Sequence, residues 1–350
     1  MTTFADRLLR WFDSHGRHDL PWQHPREAYR VWLSEIMLQQ TQVATVIPYF
    51  NRFVERFADI DALAAASADD VLAHWAGLGY YARARNLHRC ARVIAAEHGG
   101  RFPRTAEALA ELPGIGRSTA AAIAAQAFGE RAAILDGNVR RVLARYYRVD
   151  GWPGAPAVQQ RMWPLAEALL PENRMADYTQ ALMDLGATLC TARNPACADC
   201  PVAADCQAHL AGVVDRYPQP RPRRERPQRC ARLLLAYDAD GRLLLERRPP
   251  AGIWGSLWCP PLLDDARLET PRWSEAMRFE ADPATALPSV RHAFTHFDLE
   301  LQPVTGRIEL DAGVAEDPAL RWVTLSELDA LGLPSPVRKI LSRHQAPNAP

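Results

Sequence analysis

Leu112-Pro113-Gly114-Ile115-Gly116-Arg117-Ser118-Thr119, continuing as AAAIAAQAFGERAAILDGNVR to Arg140, is the stretch on which the reading of this chain turns. One proline and two glycines interrupt helical patterns on both sides and mark a tight hairpin between helices, the second starting near Ser118 or Thr119. Glycines let a backbone approach another surface closely, and the unpaired N–H groups at the start of the following helix form an anion site. A phosphodiester suits such a site without regard to base sequence. An ordinary glycine-rich turn fits these five residues equally well. The residues after the turn tip the balance: an alanine-rich helix closes at Gly129, and Asp136 then stands where it caps a new amphipathic helix running through Val142, Leu143 and Tyr146. Asp136 is thereby expected beside the hairpin.

Working outward toward the N-terminus, Phe4, Leu8, Leu9 and Phe12 share one face of an opening helix, and Asp19-Leu20-Pro21-Trp22 breaks it. A helix from Glu27 carries Tyr29, Val31, Trp32, Ile36 and Met37, with Glu35 as a lone acid in apolar company. A solvent-facing glutamate is the bland account. Burial beside Trp32, Ile36 and Leu38 would instead raise its pKa and make it a general acid. Gln39-Gln40-Thr41-Gln42 is a knot of amides and a hydroxyl, groups that read base edges or wedge into a stack. Helices follow over Val43–Phe57, Asp69–Trp75, Arg83–His98 and Glu107–Leu112, and Gly77-Leu78-Gly79-Tyr80-Tyr81 places two aromatic rings in a flexible turn near arginines.

Toward the C-terminus, helices are expected over Ala157–Leu170 and Met175–Leu189. Then Cys190, Cys197, Cys200 and Cys206 stand in a C-x6-C-x2-C-x5-C pattern. In a chain without an export signal these are metal ligands rather than disulfides, and spacing alone leaves zinc and iron equally open. Cys90, Cys230 and Cys259 are isolated and read as packing or surface thiols. YPQPRPRRERPQ, Tyr217 to Gln228, reads as an extended linker whose arginines can lie along a nucleic acid. Beyond it, apolar runs Cys230–Tyr237 and Arg242–Arg247 around Asp238-Ala239-Asp240-Gly241 signal a β-hairpin, Phe297–Pro303 alternates as a strand, and Pro336–Arg343 reads as a closing helix capped by Ser335. The division expected is an all-α domain over residues 1–211, a linker over 212–229, and an α+β domain over 230–345.

The hairpin with its aspartate, the stretch SEIMLQQTQVATVIPYF from Ser34 to Phe50, and the cysteine pattern together resemble the helix-hairpin-helix DNA glycosylases, and within them the MutY-type adenine DNA glycosylases. The resemblance extends over nearly the whole chain. It implies a monofunctional enzyme of base excision repair that hydrolyses the glycosidic bond of adenine paired with 8-oxoguanine or guanine. It further implies one 4Fe-4S cluster on Cys190, Cys197, Cys200 and Cys206, and a Nudix-related second domain, through Arg247-Arg248-Pro249, Trp254-Gly255 and His292 to Phe297. Glu35 and Asp136 become the catalytic pair, Glu35 protonating N7 of the base and Asp136 ionised at the sugar. DNA and substrate contacts carried over are Trp22, Gln39, Gln40, Thr41, Tyr80, Leu112, Gly114, Gly116, Ser118, Asn138 and Gln180. In the second domain they are Phe294, Thr295 and His296, Thr295 replacing the family's serine.

Two departures sharpen the chemistry. Ser118 occupies the place where pyrimidine-specific relatives carry a Schiff-base lysine, and Lys339 is the sole lysine of the 350-residue chain. No Arg-Glu-x-x-Glu-Glu run follows Trp258, which argues against pyrophosphate hydrolysis. The alternatives of other classes are a helix-hairpin-helix glycosylase or lyase for oxidised pyrimidines and a DNA-binding module without chemistry. Net charge is zero, yet residues 83–148 hold twelve arginines against five acids, a basic excess suited to double-stranded DNA. With no run of eighteen apolar residues, no membrane is expected as partner. A monomer in the bacterial cytoplasm, associated with the nucleoid, is the default expectation.

Overall fold

The computed structural model describes residues 2–222, 225–263, 277–310 and 317–343. They form two units, residues 1–65 with 86–223 and residues 66–85 with 224–350. In chain order the helices are α1 (Phe4–His15), α2 (Ala28–Leu38), α3 (Val43–Arg56), α4 (Ile60–Ala65), α5 (Ala68–Trp75), α6 (Ala82–Glu97), α7 (Ala106–Ala110), α8 (Arg117–Phe128), α9 (Gly137–Tyr146), α10 (Pro156–Glu167), α11 (Met175–Asp184), α12 (Gln207–Leu210) and α13 (Ser335–Leu341). None of the described helices is long and apolar enough to cross a membrane.

The first unit is helical, with no strand among its described residues. Thr3 starts α1 with a capping box: its hydroxyl accepts from the Asp6 N–H at 3.1 Å, and its own N–H donates to the Asp6 carboxylate at 2.9 Å. The face of α1 bearing Phe4, Leu8, Leu9 and Phe12 is buried in one core with the small side chains of α8 and the apolar faces of α9 and α11. In α8 every residue from Ala120 to Gln126 is buried, so this helix runs through the interior. Alanine makes that possible, because side chains one carbon long let α2, α7 and α11 close on it from several sides. Gly129, left-handed at φ +71°, ends α8 with N–H bonds from residues 129 and 130 back to the carbonyls of Ala125 and Ala124.

The expected helix Met175–Leu189 is α-helical only to Asp184, and Leu185–Leu189 is a turn of π-helix. Gly186 lies against the start of α9: a Cβ there would stand 2.6 Å from the Asn138 Cβ and 3.1 Å from its backbone. The chain is pressed onto α9 at this point, and the wider π turn brings Leu189 and Cys190 round behind α9.

The second unit holds the sheet, whose strands are β1 (Gln228–Tyr237), β2 (Leu243–Arg247), β3 (Trp258–Cys259), β4 (Leu262–Leu263), β5 (Met277–Ala286), β6 (Val290–Ala293), β7 (Asp298–Leu310) and β8 (Leu320–Val323). The path is β3-β2-β1-β7-β5, with β4 on β1, β6 on β7 and β8 on β2. β1 and β7 run parallel in register from Gln228 opposite Asp298 to Tyr237 opposite Arg307. The β1–β2 hairpin closes as expected, the Asp238 carboxylate accepting from the Asp240 and Arg242 N–H groups at 3.0 and 2.8 Å.

Four sequence readings change here. The strand expected over Phe297–Pro303 begins one residue later and continues to Leu310. Ser335 is the first residue of α13 rather than its cap, with extended Pro334 before it. The segment 66–85, read as part of the helical domain, packs with the sheet: the Tyr81 hydroxyl donates to the Leu333 carbonyl at 3.0 Å, and Arg85 Nη1 donates to the Gly255 carbonyl at 2.5 Å. The linker is anchored at its start, for Tyr217 is buried and its hydroxyl donates to Asp150 at 2.8 Å. Residues 264–276, the stretch after Trp258 that lacks the Arg-Glu-x-x-Glu-Glu run, lie outside the described residues.

Candidate functional site

Two elements meet at the centre of the first unit. α8 begins at Gly116, which as N-cap offers no side chain, so the first-turn N–H groups face outward uncapped. Gly114, left-handed at φ +80°, turns the chain into this start, and a Cβ there would stand 2.6 Å from the Asn86 Cβ. Gly116 has open space where a Cβ would be. The two glycines therefore differ: Gly114 is required by the fold, whereas Gly116 leaves open space beside the uncapped N–H groups. Leu112 and Ile115, on either side, are buried and hold the turn down. At the second residue of α8, the Ser118 hydroxyl accepts from the Leu135 N–H at 2.9 Å, tying the hairpin to the residue before Asp136.

Asp136 caps α9, its Oδ1 accepting from the Val139 N–H at 2.7 Å. Behind it α2 presents Glu35, whose Oε1 accepts from the Gln126 amide at 3.1 Å. Burial, and secondly the nearby charge of Asp136, push Glu35 up to about 7, while the Gln126 bond pulls slightly the other way. Glu35 is walled by protein yet open to a cavity, which is why some of its surface is accessible. Asp136 departs from expectation. Its carboxyl lies above the usual range because burial outweighs the bonds from the Val139 and Asn138 N–H groups and the charges of Arg140 and Arg141. Helix-start N–H groups moderate the cost of burying this acid without abolishing it.

Both carboxyls line one cavity of about 830 Å³, large enough for a small-molecule group such as a base. Trp22, Gln39, Gln40, Thr41, Ser118, Asn138 and Gln180 line it too, so nine of the residues singled out in the sequence converge there. Trp22 is buried with its ring edge-on to Phe50, and Gln40 is exposed with a left-handed backbone at φ +61°. Sequence reasoning missed Arg17 on the cavity wall and Asp184, which holds Gln180 from behind. Asp184 is fully buried, bridged by Arg17 at 2.6 Å and by the Gln180 amide at 2.7 Å. The Gln180 Oε1 is itself buried and unpaired in the described structure. Asp184 carried a signal like that of Glu35, one acid in an apolar helical stretch. Arg17 carried none, because only the fold brings residues 17 and 184 together.

Tyr80, Phe294, Thr295 and His296 lie in the second unit. Tyr80 is 55% exposed with φ +50°, and the Arg83 guanidinium stacks over its ring. Thr295 and His296 are exposed at the turn between β6 and β7, and beneath them Phe294 stacks on buried Phe297 at 4.7 Å. Trp254 and His292 pack against Phe294.

Cys190, Cys197, Cys200 and Cys206 line a common pocket with an almost wholly apolar wall. Four thiols facing one water-poor space fit an iron–sulfur group, and the Arg145 N–H aimed at Cys190 Sγ suits its sulfur chemistry. Cys90 and Cys259 are buried and Cys230 is exposed, each away from this pocket.

Residues 33–168 match the family described as HhH-GPD superfamily base excision DNA repair protein, residues 190–206 the iron-sulfur binding domain of endonuclease III, and residues 232–343 the NUDIX domain. Fold, acid pair and matches define a base excision DNA glycosylase of the helix-hairpin-helix class, with an iron–sulfur binding segment and a Nudix-like second domain. More narrowly, the chain belongs to the adenine DNA glycosylase family, hydrolases acting on N-glycosyl bonds. It is 34% identical to the adenine DNA glycosylase of Buchnera aphidicola subsp. Acyrthosiphon pisum (strain APS) over 97% of this chain and 96% of that one. It is likewise 34% identical to the adenine DNA glycosylase of Homo sapiens, over 99% of this chain and 74% of that one. Among solved structures, one described as a thermostable thymine-DNA glycosylase is 30% identical, with a TM-score of 0.53 over 59% of this chain and 95% of that chain.

Proposed function

We propose that this enzyme excises adenine lying opposite 8-oxoguanine or guanine in double-stranded DNA, leaving an abasic site in an intact strand. The observation that carries the reading is the buried acid pair in one cavity roomy enough to admit a base, with Glu35 near half-protonated at neutral pH and Asp136 beside it. The extruded adenine enters the cavity, and Glu35 gives its proton to N7. The bond from N9 to C1′ breaks and its electron pair leaves with the base. Asp136, ionised, faces the positive charge that develops on the sugar. Water then adds to C1′, and its proton returns to a carboxylate. Gln126 holds one Glu35 oxygen by donating to it, so the proton is carried on the other oxygen, toward the cavity. Gln180, its amide held on Asp184, contributes to the wall that the base meets.

The uncapped start of α8 at Gly116 grips a phosphate of the strand being repaired, with Leu112 and Gly114 shaping the turn. Gln39, Gln40, Thr41 and exposed Tyr80 probe the opened duplex, and Phe294, Thr295 and His296 read the opposing base. Because Ser118 is occupied as acceptor for the Leu135 N–H and the sole lysine is Lys339, no lysine amine of the first unit is available to form a Schiff base. In the same reading the four cysteines hold one 4Fe-4S cluster that is structural to the 190–206 loop, the recognition domain spans about residues 230–345, and the enzyme acts as a monomer. The test is a single-turnover assay of free adenine release from duplexes bearing adenine opposite 8-oxoguanine, guanine or thymine, beside a thymine glycol substrate. Release confined to the first two pairs is the expected result; excision of thymine glycol with strand cleavage would replace this reading with the lyase.

A further inference from the structure

We propose that Arg145 is the buried counter-ion of the iron–sulfur cluster and raises its reduction potential. The observation is a buried cation without an anion of its own. Arg145, on the last turn of α9, is 2% exposed. Its Nε donates to the Tyr217 carbonyl at 2.8 Å and its Nη2 to the Ala192 carbonyl at 3.3 Å. Its Nη1 donates to the Thr191 carbonyl at 2.7 Å and to Cys190 Sγ at 3.3 Å. Three of these four acceptors are neutral, and no carboxylate pairs with Arg145 among the described residues.

A guanidinium stays charged in a protein, and burying it uncompensated is costly. The group able to compensate it is the pocket it lines, where cysteines must be thiolates to bind iron. Arg141, one turn earlier on α9, donates its Nε to the Cys190 carbonyl at 2.7 Å, so it holds the same residue by its backbone and leaves the sulfur to Arg145. A cation with an N–H on a ligand sulfur favours the electron-richer state of the metal group, so the potential rises with Arg145 present. The same guanidinium joins the cluster loop to Tyr217, where the anchored linker begins.

The test compares holoenzymes carrying Arg145→Gln, Arg145→Lys and Arg141→Gln with the unaltered protein, by film voltammetry and iron content per chain. The expected result is a midpoint shifted negative in R145Q, a smaller shift in R145K, which keeps the charge but loses the fork, and the smallest in R141Q. A merely structural clamp would lower thermal stability and leave the midpoint where it was, and R145Q with full iron and an unshifted midpoint overturns the proposal. Should R145Q lose the cluster, the unaltered protein decides, labelled with guanidino-15N arginine and brought to a paramagnetic cluster state. A 15N hyperfine coupling that persists in R141Q supports the proposal, and absence of coupling overturns it.

Discussion

Glu35 shows how one side chain's surroundings set its chemistry. Its pKa of about 7 follows from burial first and from Asp136 second, so at neutral pH the acid form is well populated. Base release should therefore decline as pH rises through about 7, because the proton donor is lost. Stability should respond to the same proton. Between the ordinary glutamate value and about 7 the folded chain holds a proton that the unfolded chain has released, so stability falls as pH rises across that window and is level above it. Glu35→Gln removes the titration. It should lower single-turnover adenine release by roughly 10²–10⁴-fold while duplex binding persists. It should also be more stable than the unaltered protein above pH 7, by at most about 3 kcal/mol, with the gap closing toward pH 4.5 in urea denaturation. Release within tenfold of the unaltered rate would remove Glu35 from the chemistry.

In the hairpin before α8 the two glycines meet different constraints, and the proposed phosphate contact falls on the second. Gly114 combines φ +80° with a Cβ position 2.6 Å from Asn86, so Gly114→Ala should cost about 1–3 kcal/mol and lower the melting temperature. Gly116 meets neither constraint. Gly116→Ala should melt with the unaltered protein and yet bind duplex DNA more weakly, since the added methyl stands beside the uncapped N–H groups. Equal DNA affinity in Gly116→Ala would move the phosphate contact away from this turn. The π turn at Leu185–Leu189 is an element of the same kind. An irregularity accepted at Gly186 lets a chain pressed against Asn138 reach the cysteine loop.

For the molecule as a whole, the assignment of residues 66–85 to the sheet-bearing unit changes what a truncation removes. Deleting residues 231–350 takes away the Leu333 and Gly255 carbonyls that Tyr81 and Arg85 hold, and Gly332, where a Cβ would stand 2.9 Å from the Leu72 Cβ. The truncated enzyme should therefore be less stable as well as less able to prefer 8-oxoguanine over guanine opposite adenine. Thr295→Ala separates the two effects: an exposed hydroxyl is lost, so melting should not change, while discrimination in competition kinetics at matched salt falls by about 1–3 kcal/mol. Full discrimination in Thr295→Ala would shift the reading of the opposite base to Gln40 and Tyr80.

Local rules sufficed where the relevant physics is local. The cap at Asp136, the Gly114 turn, the Asp238–Gly241 hairpin and the spacing of four cysteines depend on residues a few positions apart, so the order of elements and the metal-binding loop were legible in the chain itself. Glu35 was legible as an anomaly, a charge in an apolar helix face. Its pKa was not, because that depends on Gln126 and Asp136, ninety-one and more positions away. The direction of the Asp136 shift likewise turned on how deeply the packed helices bury it, a quantity that the cap alone does not contain. The Arg17–Asp184 pair, the grip of Arg145 on Cys190, and the packing of residues 66–85 with the second unit all join distant segments. Burial and charge pairing across such separations are properties of the folded core, and only the tertiary structure decided them.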